Sequence, residues 1–310
     1  MLGFREANFS VRFCSTYNLQ PITYNPVLLW YFYIFLFGLI VGSFVNVVIY
    51  RVPRGESIVS GRSRCANCGK NIAWYDLIPI ASFFILRFHC RQCRRRISWL
   101  YPVVELYSGL IFLLTFYFTF ISQATTLFHY YPLPTTYYLL LVNWLLLIFL
   151  LESLLILAVI DLKNLILPDS VMLMMFLGVL AYGILEYLRG YFGFNIFSFD
   201  NFIGATVLFS ALFLIWFFSK GSWLGLGDAK LAGLVGLIFG LWGGLIVIYG
   251  AIIAGMIAGL VLMVSHKANL KTKLPLGTFI CLSATAYVFF GTSVQNKLAD
   301  FFFFVPLILK

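Results

Sequence analysis

Two CxxC pairs, Cys65-Ala-Asn-Cys68 and Cys90-Arg-Gln-Cys93, hold four of the six cysteines in the chain and lie 21 residues apart. A CxxC turn brings two sulfurs to one point, and two such turns complete a tetrahedron suited to Zn²⁺. With four thiolates the set is closed and leaves no open position for catalysis, so the expected role is structural. Gly69, after the second cysteine, suits a tight knuckle because glycine accepts positive φ. The arginines around the cluster are expected to favour thiolates. An iron–sulfur cluster, a redox dithiol or unbound thiols are the competing uses of such cysteines. His89 adjoins Cys90 but reads as a solvated loop histidine, while Cys14 and Cys281 read as packing residues.

A second group of residues could do acid–base chemistry. The chain has only 11 Asp and Glu, and most border apolar segments. Asp161 ends Ala158-Val-Ile-Asp161, and Asp228 sits in Gly225-Leu-Gly-Asp-Ala-Lys-Leu231. Carboxylates beside lipid are expensive and need a reason. Two that face each other do not readily both ionise. One can then take a proton from water while the other protonates a scissile carbonyl. That is aspartic-protease chemistry, and it needs neither metal nor covalent intermediate. Gly225 and Gly227 would let backbone and an extended substrate approach closely. The plainer readings are a helix-dipole role for Asp228 and Asp169 and a solvated pair for Asp161 with Lys163. Glu152, nine residues before Asp161, would lie about 13 Å deeper on one helix, against a partner such as Asn143. Glu105 reads as a helix N-terminal dipole partner, and Asp200 as solvated.

The elements that must position these groups follow from composition. In 310 residues, 62% are hydrophobic, 10% are charged, and the mean hydropathy is +0.97. A soluble globule is about one quarter charged, so a soluble chain is excluded. Apolar stretches near 27–50, 100–121, 137–160, 170–188, 201–219, 229–243, 244–265 and 275–293 meet the length needed to cross a bilayer or approach it. The predicted fold is therefore an all-α polytopic membrane protein of about eight transmembrane helices. Gly243–Gly244 marks the turn between the sixth and seventh. A small cytoplasmic zinc-knuckle domain, 51–99, is inserted between the first helix (27–50) and a transmembrane region (100–293). The segments 1–26 and 294–310 flank it, the former without a cleavage signature, and no internal repeat is visible.

The net charge of +10 then finds an address. Ten Lys and Arg lie between Arg51 and Arg96. Alternation puts Lys163, Lys220, Lys230, Lys267, Lys271 and Lys273 on the same side, making sixteen of the 21. The positive-inside bias assigns that side to the cytoplasm. There it also brings Asp161 and Asp228 to one boundary. Anionic lipid headgroups account for the basic domain, so no nucleic acid partner is needed.

At these residues the sequence resembles the type IV prepilin peptidase family, the prepilin leader peptidase/N-methyltransferases. Gly42-Ser-Phe-Val-Asn-Val-Val-Ile-Tyr-Arg-Val-Pro53 is similar to the family's first-span signature. Ile97-Ser-Trp-Leu-Tyr-Pro-Val-Val-Glu-Leu106 is similar to its run after the knuckle. The Asp161 loop ending in Leu167-Pro-Asp169, and Gly225-Leu-Gly-Asp-Ala-Lys-Leu231, resemble its two aspartate motifs. Leu274-Pro-Leu-Gly-Thr-Phe279 resembles its last-span motif, with Leu276 and Thr278 where Phe and Pro are usual. The resemblance covers residues 27–293. It implies a GxGD-type intramembrane aspartic endopeptidase of the bacterial inner membrane. Such an enzyme cleaves the basic leader of type IV prepilins or pseudopilins at the cytoplasmic face. Asp161 and Asp228 would be its catalytic pair. Many members then methylate the new N-terminus using S-adenosylmethionine, an activity associated with the zinc-bearing portion. No oligomeric state is implied. A peptidase without methylation, or a non-enzymatic assembly or transport protein whose zinc domain docks a partner, are the alternative readings.

Overall fold

A computed structural model describes residues 25–122, 134–188, 198–266 and 272–308. The remaining segments, with Cys14 and most of the expected 1–26 region, lie outside the described residues. Long apolar runs without interior proline become helices because backbone polar groups in lipid can be satisfied only within the segment. The helices are α1 (Asn25–Arg51), α2 (Ala81–Ile85), α3 (Leu100–Phe116), α4 (Pro134–Asn164), α5 (Asp169–Leu188), α6 (Phe199–Ser219), α7 (Leu226–Val264) and α8 (Leu276–Ile308). Five of them are long and apolar enough to cross a membrane, and two shorter apolar helices start at Asp169 and Leu276. The chain is thus a multi-pass, all-helical membrane protein.

α4 is the centre of the bundle. Its Leu151, Leu154 and Leu157 pack on Met172 and Met175 of α5, Leu231 and Val235 of α7, and Ile280 and Ala284 of α8. Its other side, Leu155, Val159 and Ile160, meets Val45 and Ile49 of α1 and Val104 of α3. Leucine gains little by leaving lipid for protein, so the association rests on close packing and on small residues. α1 and α3 show this directly. A Cβ added at Gly38 would lie 2.8 Å from the Gly109 Cα, and one at Gly42 would lie 2.7 Å from the Glu105 Cα.

The stretches expected at 229–243 and 244–265 form one element, α7, of 39 residues. It is interrupted at Gly240, whose φ of 71° and ψ of −175° leave the helical region. In a continuous helix Gly236 and Gly244 would be about 12 Å apart. Instead, a Cβ at Gly244 would touch the Gly236 Cα at 3.3 Å. The chain therefore doubles back, three residues earlier than the Gly243–Gly244 signal indicated. Only glycine takes that conformation without strain. Asp200, expected to be solvated, accepts from Leu241 N–H at 3.2 Å and so caps the returning arm. Gly204 of α6 lies against the Gly236 carbonyl and the Gly240 backbone.

This three-way contact has no room for a side chain. Gly236→Val is expected to lower the detergent melting temperature, at a cost of at least about 1–3 kcal/mol from overpacking. Unchanged melting by circular dichroism would show that α6 can move away. α8 continues to Ile308, past the end expected at 293, so the tail extends the last helix.

Candidate zinc centre and paired-aspartate site

The zinc domain consists of two copies of one knuckle. Cys65 N–H bonds Lys70 O, Gly69 N–H bonds Cys65 O, and Ile72 N–H bonds Ser63 O. Twenty-five residues on, Cys90 N–H bonds Arg95 O, Arg94 N–H bonds Cys90 O, and Ile97 N–H bonds Phe88 O. The isolated bridges Arg64–Asn71 and His89–Arg96 repeat with the same offset. Gly69 (φ 69°) and Arg94 (φ 55°) occupy equivalent left-handed positions. A local duplication is thus present that no similarity of side chains betrayed, because the knuckle is specified mainly by backbone geometry and two cysteines.

The four sulfurs of Cys65, Cys68, Cys90 and Cys93 lie within 4.8 Å of one another, with Cys65 and Cys93 at 3.9 Å. Tetrahedral Zn–S bonds of about 2.3 Å require sulfurs about 3.8 Å apart, so these residues fit zinc. His89 is turned away, with Nδ1 2.6 Å from Arg87 O. The Cys90 thiol is brought down to about 7 by the backbone N–H groups of Cys93 and Gln92. Cys93 moves the other way, up to about 11: the Arg95 backbone N–H lowers it, but burial and the neighbouring sulfurs outweigh that. Without a metal the four sulfurs are therefore not all thiolates. Arg91 forms a two-pronged ion pair with Asp76, at 3.0 and 2.8 Å. Arg51, at the end of α1, is buried and donates to the carbonyls of Ser57, Ser60, Gly61 and Arg62. These bonds wrap the loop onto the helix end.

Asp161 lies one turn before the end of α4 and is only 5% exposed. Its Oδ2 accepts from Thr278 N–H at 2.7 Å, and the Thr278 hydroxyl lies 3.1 Å from the same oxygen. Asp228 occupies the first turn of α7, where its Oδ2 accepts from Gly225 N–H at 3.2 Å. That bond is half of a capping box, so the local helix-end reading of Asp228 holds too. The two carboxylates are close enough for their charges to interact. The Thr278 amide at the start of α8 thus holds Asp161, at the end where the helix dipole favours negative charge. Cys281, one turn further along α8, is a buried member of the core cluster.

Glycines set these approaches. A Cβ at Gly277 would meet Asp161 Oδ2 at 3.0 Å, and one at Gly227 would meet Leu167 at 2.9 Å. The Gly227 contact seats the α7 start on the loop after Asp161. Across that loop Lys230 pairs with Asp169 at 2.7 Å. α4 ends at Asn164, and Leu165 turns left-handed with its N–H on Asp161 O. Pro168 then precedes α5.

Two acidic residues differ from the sequence expectation. Glu105 is not at the α3 N-terminus. It is buried in the second turn and accepts from Ile80 N–H at 2.7 Å. Glu152, 6% exposed, meets Ser108 Oγ at 2.6 Å instead of Asn143, and that hydroxyl also lies 2.8 Å from Gly38 O. Thr278 is the residue that the motif reading passed over as a mere departure. Its one available signal was that threonine carries an N–H and a hydroxyl where proline carries neither.

Two family models match in succession: the Bacterial Peptidase A24 N-terminal domain over residues 36–119 and the Type IV leader peptidase family over 145–260. The first contains the cysteine cluster and the second both aspartates. The prepilin leader peptidase/N-methyltransferase of Myxococcus xanthus is 50% identical over 97 residues, which span 31% of this chain and 28% of that relative. The protein of the same description from Stutzerimonas stutzeri is 27% identical over 300 residues, 85% of this chain and 92% of its own. The Pseudomonas aeruginosa counterpart is 25% identical over 300 residues, 86% and 92% of the two chains. No solved structure matches. With the two family models matched in order and the Stutzerimonas and Pseudomonas relatives aligned over most of both chains, the chain belongs to the type IV leader peptidase family.

Proposed function

We infer that this chain is a prepilin leader peptidase that also N-methylates its product, with Asp161 and Asp228 as the catalytic pair. The observation that carries this reading is the convergence of Asp161, from the end of α4, and Asp228, from the start of α7. They meet beside the start of α8, where Thr278 N–H holds Asp161, Gly277 packs on it, and the two carboxylate charges interact. Elements 67 residues apart in sequence are held so that two carboxylates share one small space.

The chemistry follows from that proximity. One carboxylate is ionised and takes a proton from water as the water oxygen attacks the scissile carbonyl. The other holds a proton and gives it to the carbonyl oxygen. Collapse of the tetrahedral species returns a proton to the departing amine. With Oδ2 of each aspartate tied to backbone, Oδ1 is the oxygen turned to substrate. The positive-inside count supports a cytoplasmic position for this end of the bundle, where the basic leader of a type IV prepilin or pseudopilin would begin. Residues 51–99 form the zinc domain and 100–293 the peptidase region.

S-adenosylmethionine would supply the methyl group. A cavity of about 1640 Å³ lies between the zinc domain and the ends of α1, α3 and α4. It exceeds the usual volume of small-ligand sites, leaving room for a nucleoside and a peptide end together. Exposed Trp74 lines it and offers an aromatic face to adenine or a sulfonium cation, whereas the Tyr50 and Tyr101 rings already carry Arg54 and Lys163. Lys163 and Asn164, just past Asp161, line its other end, so the cut amine would have a short path.

The test is a purified prepilin mixed with the full-length protein in detergent and weighed by mass spectrometry. Loss of the leader is expected, and gain of one methyl group only when S-adenosylmethionine is present. An uncut prepilin would overturn the peptidase reading, and a cut but unmethylated product would leave a peptidase alone. A finer prediction concerns Thr278. Thr278→Val keeps the N–H and removes the hydroxyl beside Asp161. The cleavage rate constant should fall about threefold with KM unchanged, because the single hydroxyl proton is shared between Ala158 O at 2.9 Å and Asp161 Oδ2 at 3.1 Å. Thr278→Ser should restore it. Equal rates for all three would show that the amide alone holds Asp161.

A further inference from the structure

The zinc domain carries an apolar edge that neither zinc nor catalysis uses. α2 is only five residues long, yet Phe84 and Ile85 on it are 54% and 70% exposed. Ile78 before it and Trp99 after it are exposed as well. Phe83, Phe84, Phe88 and Trp99 form one cluster. Trp99 lies 4.9 Å from Phe83 and 5.2 Å from Phe88, and Phe84 lies 5.7 Å from Phe88.

Three observations fix where this edge lies. First, Trp99 heads the outward stripe of α3, followed by the exposed Val103, Leu106, Leu110 and Leu114 at helical spacing. In a membrane-spanning helix that stripe faces lipid, so the aromatic cluster is continuous with a lipid-facing surface. Second, the Glu105 carboxylate, within the first two turns of α3, holds Ile80 N–H at 2.7 Å. The start of α2 is therefore pinned at the mouth of the span rather than out in solution. Third, that pinning imposes an unfavourable backbone. Ile80 (φ 58°), Arg87 (φ 47°) and Phe88 (φ 67°) all have positive φ, which for a β-branched residue such as isoleucine is a genuine outlier. Strain of this kind persists only where surroundings over-determine it. Here it turns Phe84 and Ile85 outward, away from the protein core.

Beside this edge lie Arg87 and, on the turn paired with Phe88 and His89, Arg94, Arg95 and Arg96. All are exposed and in no ion pair among the described residues, unlike Arg91, and Arg95 and Arg96 also line the cavity. Apolar and aromatic side chains rimmed by arginine match the layered chemistry of an interface, acyl chains below and phosphates above. We propose that residues 78–88 are a wedge inserted into the leaflet that α3 enters, with Arg87 and Arg94–Arg96 binding anionic phospholipid headgroups. The zinc domain then stands against the membrane as a fixed cover over the cavity, and part of the 51–99 region expected outside lipid is within it. This inference does not depend on the catalytic reading.

The experiment uses the full chain in nanodiscs containing phosphatidylcholine and phosphatidylglycerol. A photoreactive benzoylphenylalanine at Ile85 is expected to form acyl-chain adducts at the yield seen for Leu110 of α3. One at Ala66, exposed in the first knuckle, should form few. An Ile85 yield as low as that of Ala66, or adducts to a second protein chain, would overturn the wedge. For the headgroups, Arg94→Gln, Arg95→Gln and Arg96→Gln together, and Arg87→Gln separately, are assayed for retained phosphatidylglycerol. Each arginine removed should weaken the preference for anionic lipid about fivefold, with one zinc per chain retained as the sign of a folded domain. Unchanged retention in zinc-loaded variants would overturn the headgroup assignment.

Discussion

Asp161→Asn and Asp228→Asn are each expected to stop leader cleavage, by at least about 10³-fold, while the protein still inserts and melts normally. Asparagine has the shape of aspartate but neither gives nor takes the catalytic proton. In Asp161→Asn the side-chain carbonyl can still accept from Thr278 N–H, so the local packing has no reason to change. The two residues act on one proton inventory, so the double variant should be no slower than either single one. The measurement is the cleaved fraction of a purified prepilin over time. Cleavage at the unaltered rate by either variant would remove that residue from the mechanism. The same experiment divides the two activities. A prepilin supplied already cut should still be methylated by both variants, because neither aspartate lines the cavity under the zinc domain.

The second large effect concerns the metal. The zinc domain has few buried hydrophobic residues of its own, chiefly Phe83, and its two knuckles meet at the sulfurs. Metal binding and folding are then one event, and structural zinc contributes on the order of 10–16 kcal/mol at neutral pH. Removing zinc with a chelator, or replacing Cys68 by Ser, should unfold residues 57–99 while the bundle around α4 persists. The expected signs are zinc falling from one ion per chain, proteolytic cutting confined to this domain, and a change in Trp74 and Trp99 fluorescence. A chain that purifies without metal and resists proteolysis in this region would refute the zinc assignment.

Several expectations depended only on residue type and short spacing, and these were legible. Two CxxC pairs point to a four-thiolate metal site because each CxxC turn brings two sulfurs to one point. Asp161 and Asp228 stood out because charge is scarce in so apolar a chain, and charge asymmetry put them at one face. The spans were legible because lipid admits no unpaired backbone. Where the reading failed, the cause was a contact between distant segments. Gly243–Gly244 is the stronger turn signal, but the reversal falls at Gly240. There Gly204 of α6 leaves room and Asp200 caps the returning arm. Glu105 looked like a helix-dipole residue because its partner, Ile80, is 25 positions away on a strained turn. Thr278 looked like a lapse in a motif and is instead a donor to Asp161.

The amino-acid sequence by itself determined the environment and the chemical inventory: a bilayer, a four-sulfur metal site, and a pair of aspartates at one depth. Those follow from solvation energies and ligand preferences, which belong to residues one at a time. Only the tertiary structure decided that Asp161 is held through Oδ2, and that the Thr278 amide of α8 holds it. The same is true of the chain reversal within α7 and of the apolar edge of the zinc domain against α3. Hydrogen bonds and close glycine contacts act over about 3 Å, and their partners are chosen by the packing of whole helices, which no local spacing encodes.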